Sequence, residues 1–273
     1  MTQQQRTYPQ GVPSWVDLEQ PDVDRTLAFY AAVLGWTFQD AAPPGAPARY
    51  VIAQVDGLDV AGIGQGDEKP TWHTYVAVED VEAVLDRITA AGGTVTTGPT
   101  AAGEGGTWAA FTDPGGTPLR LWQPRRRLGA QLVNAPGSWN FSDLRSDSPA
   151  TAFYTEVFGW QFDDLGFATM VRLPGYGDHL AATTDPDIRE RQAEISVPPG
   201  FEDAIAWVNP AGEGEAPHFH VSFAVADRDR TAALATEHGG EVLDTEDAQW
   251  ALTATIRDPQ GAVFTASQFA PPD

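Results

Sequence analysis

The feature that most constrains this chain is that it is written twice. SWVDLEQPDVDRTLAFYAAVLGW at 14–36 returns as SWNFSDLRSDSPATAFYTEVFGW at 138–160, with Trp15 and Tyr30 spaced as Trp139 and Tyr154 are. HTYVAVEDVEAVLDRITAAGG at 73–93 is answered by HVSFAVADRDRTAALATEHGG at 220–240, and TDPGGTPLRLWQ at 112–123 by RDPQGAVFTASQ at 257–268. Three blocks in one order mark a tandem duplication. The offset grows from 124 to 147 between the first and second blocks, so the second copy carries an insertion. Pro, Gly and Glu accumulate at 183–217, which predicts an extended loop there, either a lid on the second copy or a plain surface excursion.

Each copy repeats its own pattern at half scale. Alternation at Val12–Glu19 predicts a strand, and Val23, Leu27, Tyr30 and Leu34 fall at helical spacing within Asp22–Leu34. Asp22 or Asp24 caps that helix and Gly35 ends it. Trp36–Gln39, Arg49–Gln54 and Leu58–Gly64 follow as short strands. The same order returns as strand Trp72–Val78, helix Asp80–Ala91, then strands Thr94–Thr97, Thr107–Thr112 and Pro118–Gln123. The fold class is therefore α+β: four βαβββ modules paired into two domains, 11–124 and 137–270. A solvated linker, PRRRLGAQLVNAPG, joins them, and residues 1–10 form a loose polar lead-in.

Charge narrows the partners. Asp and Glu number 38 against 16 Lys and Arg, a net −22, and such a surface repels phosphate backbones and anionic headgroups. No nucleic acid and no membrane partner is expected; a small molecule is. Absence of cysteine removes thiolate metal sites and Cys nucleophiles. The amino terminus has no basic region followed by an apolar run, and no stretch of about 18 apolar residues occurs, so a cytoplasmic location is expected.

Paired βαβββ modules, F-Y-x-x-x-x-G-W after the first helix and D-P-x-G before the last strand resemble the vicinal oxygen chelate superfamily of glyoxalases, bleomycin-resistance proteins and dioxygenases, over about 11–270. Trp15-Val16-Asp17-Leu18 further resembles the W-x-[DE]-L of tandem glyoxalase-like proteins. The resemblance implies that each domain is a cupped, partly open barrel. In metal-using members the first, fifth and eighth strands supply the ligands, and those positions fall here on Trp15, His73 and Arg120, then on Trp139, His220 and Thr265. Indole cannot coordinate a divalent ion and a guanidinium repels one, so neither metal nor cofactor is expected. His218 and His220, two apart on a strand, share a face and can hold Zn or Ni; the competing reading has one lining the cup and the other at its rim, without metal.

Period-two logic groups Trp15 and Asp17, His73 and Tyr75, and Pro118, Arg120 and Trp122 on one face of their strands. If that face is concave, rings stack on indole while Arg120 and His73 fix ligand oxygens. Asp17 then orients His73 as a general acid or base; alternatively Asp17 and Arg120 are a satisfied internal pair. The second cup offers Trp139, Phe141, His220, Ser222, Thr265 and His218 to a more hydrophobic guest. Tyr30 and Tyr154 are expected in the core, Trp36 and Trp160 lock helix to sheet, and His179 and His238 carry no role. The leading expectation is metal-independent binding of an aromatic or carbonyl-bearing metabolite or antibiotic, for sequestration, resistance or sensing. The alternative is an enzyme using His73 or His220, with Asp17, for proton transfer, cyclisation or rearrangement. A metal-dependent lyase, isomerase or dioxygenase is the third, and the ligand inventory argues against it. Two copies on one chain make a monomer one expectation and a homodimer the other.

Overall fold

The computed structural model describes residues 5–42, 48–66, 69–195, 197–248 and 250–271. The first copy runs β1 (Pro13–Gln20), α1 (Val23–Leu34), β2 (Thr37–Asp40), β3 (Tyr50–Val55), β4 (Leu58–Gln65), β5 (Thr71–Ala77), α2 (Val81–Ala90), β6 (Thr94–Ala101), β7 (Gly106–Thr112) and β8 (Pro118–Pro124). The second runs β9 (Trp139–Arg145), α3 (Thr151–Phe158), β10 (Gln161–Asp164), β11 (Thr169–Arg172), α4 (Tyr176–Ala182), α5 (Ile188–Ala193), β12 (Ala204–Asn209), β13 (His218–Ala224), α6 (Arg228–Glu237), β14 (Glu241–Asp247), β15 (Ala251–Arg257) and β16 (Val263–Phe269). The copies form two mixed eight-stranded sheets, ordered β2-β3-β4-β1-β5-β8-β7-β6 and β10-β11-β12-β9-β13-β16-β15-β14. Both are open, with β2 and β6, or β10 and β14, at their ends. β1 pairs parallel with β4, and β5 with β8, as a βαβββ crossover requires.

Local chemistry sets these elements. The Asp22, Asp80 and Asp227 carboxylates accept backbone N–H groups at the starts of α1, α2 and α6. Gly35 and Gly159, both left-handed, close α1 and α3. The stretch predicted as a long loop is not one. It holds α5, a 3-10 turn at Phe201–Asp203 and β12, which takes the place of β4 beside β9. What is inserted lies between β11 and β12, where the first copy has only the tight turn at Asp56-Gly57. Tyr176, Leu180 and Ile188 are its buried anchors, and sparse apolar residues hid the helices from a periodicity reading. The expected loose lead-in is also corrected from Arg6 onward, residues 1–4 lying outside the described ones. Arg6 donates to the Tyr176 hydroxyl at 3.2 Å, and the Thr7 hydroxyl meets His179 Nε2 at 3.1 Å. In the connector, Gln131 N–H donates to the Asp59 carbonyl at 2.7 Å.

Two compact units arise, and each draws on both copies. Unit one is Met1–Trp15, Thr74–Gly129 and Ser142–Phe219; unit two is Val16–His73, Ala130–Phe141 and His220–Asp273. In unit two α1 packs on α6, over rings in which Tyr30 stacks on Trp36 at 5.1 Å and Phe264 lies 5.6 Å from Tyr30. In unit one α2 packs on α3, with Tyr154 stacked on Trp160 at 4.9 Å. The repeated motifs meet inside each unit. The Tyr30 hydroxyl donates to Asp258 Oδ2 at 3.2 Å and that of Tyr154 to Asp113 Oδ2 at 2.9 Å. The Trp36 indole donates to the Gly137 carbonyl at 2.6 Å, and Trp160 to that of Gly11 at 2.7 Å. Each F-Y-x-x-x-x-G-W motif therefore grips the D-P turn and the strand-opening glycine of the other copy.

Candidate functional site

Within unit two, β1 and β4 build a polar floor. Asp17 and Glu19 are the register partners of Gly62 and Gly64, and Tyr50 on β3 is the partner of Gly64. Tyr50 lies across this bare stretch and donates its hydroxyl to Asp17 Oδ2 at 3.1 Å. A Cβ at position 62 would stand 2.1 Å from the Tyr50 hydroxyl oxygen, and one at 64 would meet the ring at 3.3 Å. Glycine at these two places is what lets the ring cross to Asp17. His73 Nε2 lies 3.6 Å from Glu19 Oε2, so in unit two Glu19 is a carboxylate beside that imidazole in addition to Asp17. The ligand atoms of Asp17, Glu19 and His73 lie within 4.8 Å of one another, the one such donor group among the described residues.

Within unit one, a guanidinium is set between rings. Tyr75 and Arg120 are register partners on β5 and β8, as are Trp108 and Trp122 on β7 and β8. Arg120 Nη1 donates to the Tyr75 hydroxyl at 2.8 Å. Its guanidinium carbon lies 5.5 Å from the Tyr75 ring centroid and 5.0 Å from that of Trp108. Trp122 meets Tyr75 edge-on at 6.4 Å and donates its indole N–H to the Arg127 carbonyl at 2.8 Å. Trp15 is buried in this unit.

The second-copy residues divide in the same way. In unit two His220 Nε2 and Thr265 Oγ1 are 2.8 Å apart, Thr265 is the register partner of Ser222, and Thr255 Oγ1 lies 3.5 Å from Thr265 Oγ1. Trp139 is buried in unit two and Phe141 half-buried there. His218 belongs to unit one, its Nδ1 3.0 Å from the Ala216 carbonyl and its Nε2 3.6 Å from Glu215 Oε1. Sequence reading named Asp17, His73, Tyr75, Arg120 and Trp122 but missed Tyr50, Gly62, Gly64, Glu19 and Trp108. The G-I-G of β4 was the available signal, since glycine inside a strand marks a close approach.

The tandem sheets, with their motif order, decide the family when set beside known proteins. The model of the Glyoxalase/Bleomycin resistance protein/Dioxygenase superfamily matches residues 14–121, and that of a glyoxalase-like domain matches 139–267. The chain belongs to this superfamily. It is 34% identical to the "Putative glyoxylase CFP32" of Mycobacterium tuberculosis, over 97% of each chain. It is 30% identical to the anthracycline biosynthesis protein DnrV of Streptomyces peucetius, over 93% of this chain and 92% of that one. In fold it is similar to a Mn(II)-bound glyoxalase from Novosphingobium aromaticivorans (TM-score 0.59, 18% identity, 97% of this chain and 84% of that one). It is likewise similar to 2,2',3-trihydroxybiphenyl 1,2-dioxygenase from Sphingomonas wittichii (TM-score 0.60, 12% identity, 95% and 91% covered). Of the positions that the resemblance assigns to a metal, His73 and His220 carry ligating imidazoles, whereas Trp15 and Trp139 are buried indoles, Arg120 is a cation tied to Tyr75, and Thr265 holds His220. Asp17, Glu19 and His73 offer a different donor set, of the hard and borderline kind that Mn or Zn accepts.

Proposed function

We propose that the chain binds a small aromatic or carbonyl-bearing organic molecule without a metal, sequestering or sensing it. The observation that carries this reading is Arg120, its guanidinium held by the Tyr75 hydroxyl and bracketed by the Tyr75 and Trp108 rings. Such an arginine is oriented in advance, so little side-chain entropy is lost when it donates to a phenolate, carbonyl or carboxylate oxygen. Rings beside it supply the stacking surface. The relative named for anthracycline biosynthesis supports a ring-bearing natural product as the guest. As further ligand contacts the reading takes Trp15 and Trp122 in the first copy, and Trp139, Phe141, His218, Ser222 and Thr265 in the second. The test is titration of EDTA-treated protein with 1,2-dihydroxyanthraquinone, followed by tryptophan quenching. Arg120→Met should weaken binding about tenfold or more, as loss of a charge-assisted hydrogen bond implies; unchanged affinity would exclude the role given to Arg120.

A second reading, an enzyme, is favoured by Asp17, Glu19 and His73. An ion held there would act as a Lewis acid toward a substrate oxygen. In the metal-free form of this reading His73 moves the proton, with Glu19 beside it, while Tyr50 and Asp17 set the polar floor; His220 with Thr265 is the second-copy counterpart. Equilibrium dialysis of the stripped protein against Mn(II) and Zn(II) separates the two forms. About one ion per chain, lost in Glu19→Gln, would favour the metal enzyme over the metal-free one.

A further inference from the structure

In unit one the second copy sets a carboxylate, Asp143, among rings at the strand position that Glu19 holds in the first copy. Carrying the β9/β12 register, Val208 against Leu144, back by one residue puts Trp207 opposite Asp143. Partner side chains on adjacent strands project to one face. Asp143 Oδ1 accepts the Trp207 backbone N–H at 3.1 Å. Among the described residues Oδ2 accepts no hydrogen bond and Asp143 forms no ion pair. The Trp207 ring centroid lies 6.3 Å from that of Phe167 and 6.1 Å from that of Phe201, with tilts of 41° and 36°. Phe167, in the β10–β11 turn, is 76% exposed, while Trp207, Phe201 and Asp143 are half-buried. Phe201 comes from the 3-10 turn of the inserted segment. In the first copy Glu19 and Gly64 occupy the equivalent places, so the ring shelf is particular to the second.

A large apolar ring held in water beside two others invites a flat guest. Ring faces also attract a cation, and a carboxylate with an open oxygen takes a cation's N–H. We propose that Asp143, Trp207, Phe167 and Phe201 form a subsite for an aromatic compound carrying a protonated amine, the ring on the shelf and the ammonium on Asp143 Oδ2. Burial, eased by the Trp207 N–H and the Arg145 charge, holds the Asp143 carboxyl up at about 6, so it is ionised at pH 8. No residue of the Arg120 site takes part, and the subsite stands or falls apart from that reading.

The test is calorimetric titration at pH 8 with tryptamine and with its neutral analogue, indole-3-ethanol. Wild-type protein should bind the amine about tenfold more tightly than the alcohol, the scale of a partly desolvated cation contact. Asp143→Asn should abolish that preference. It removes one charge of a net −22, so attraction by the general field would survive the change, and a retained preference would overturn the proposal. Phe167→Ala, at an exposed position that folding does not need, should weaken both ligands severalfold. Equal affinity of wild-type protein for amine and alcohol, or no binding of either, would also overturn it. So would Phe167-dependent dimers in sedimentation with no amine preference.

Discussion

At the residue scale, the position of Tyr50 depends on a neighbour that yields space. Tyr50 reaches Asp17 because β4 has no Cβ at 62. Gly62→Ala should therefore destabilise the fold by about 1–3 kcal/mol, the usual cost of overpacking, as urea unfolding would measure. Gly98→Ala is the control: nothing lies within 4 Å of its Cβ position, and a shift within about 0.5 kcal/mol is expected for such a surface change. Equal effects at the two sites would contradict the argument. Strand alternation brought out Asp17, His73, Tyr75, Arg120 and Trp122 from the sequence. Glu19, Tyr50 and Trp108 were hidden for a physical reason: each gains its role from a register partner or a ring on another strand, and single-strand periodicity carries no register.

At the element scale, the helices are tied by their tyrosines. Sequence spacing put Tyr30 and Tyr154 in the core, and their rings are there. What spacing could not show is that each hydroxyl caps an Asp whose other oxygen organises a D-P turn. Asp113 Oδ1 accepts Gly115 and Thr117 N–H, and Asp258 Oδ1 accepts those of Gln260, Gly261 and Ala262. Tyr154→Phe should cost about 1–3 kcal/mol, because the buried Asp113 Oδ2 loses a donor; Tyr30→Phe should cost less, because Gln20 Nε2 also donates to Asp258 Oδ2. Burial first, and the adjacent Asp charge second, hold both phenols well above their ordinary value of 10.0. A phenol raised in the folded state keeps its proton while the unfolded chain loses one, so its stabilising contribution is complete below pH 10 and lost as pH climbs beyond it. Unfolding free energy measured from pH 9 to 11 should fall, and should fall less steeply in the two Phe variants; identical slopes would contradict the assignment. The inserted segment shows the opposite limit of legibility. Helices α4 and α5 are short, α5 is mostly exposed, and anchors such as Leu180 and Ile188 are too sparse to form a stripe.

At the scale of the whole molecule, duplication, module order and α+β class were legible because repeated motifs and glycine-punctuated strands are local signals. The partnership of α1 with α6, and of α2 with α3, was not, since nothing local says which modules pack together. Because each compact unit takes one module from each copy, 11–124 expressed alone should fail to give a cooperatively unfolding monomer. Mixing it with 137–270 should restore the native near-ultraviolet spectrum. Two independently stable monomeric halves would contradict this. The most direct test of the functional account is one titration, EDTA-stripped protein against 1,2-dihydroxyanthraquinone, run with and without added Mn(II). The account predicts saturable one-to-one binding that is indifferent to the metal and about tenfold or more weaker in Arg120→Met. Binding that appears only when Mn(II) is present, and disappears in Glu19→Gln, would contradict it.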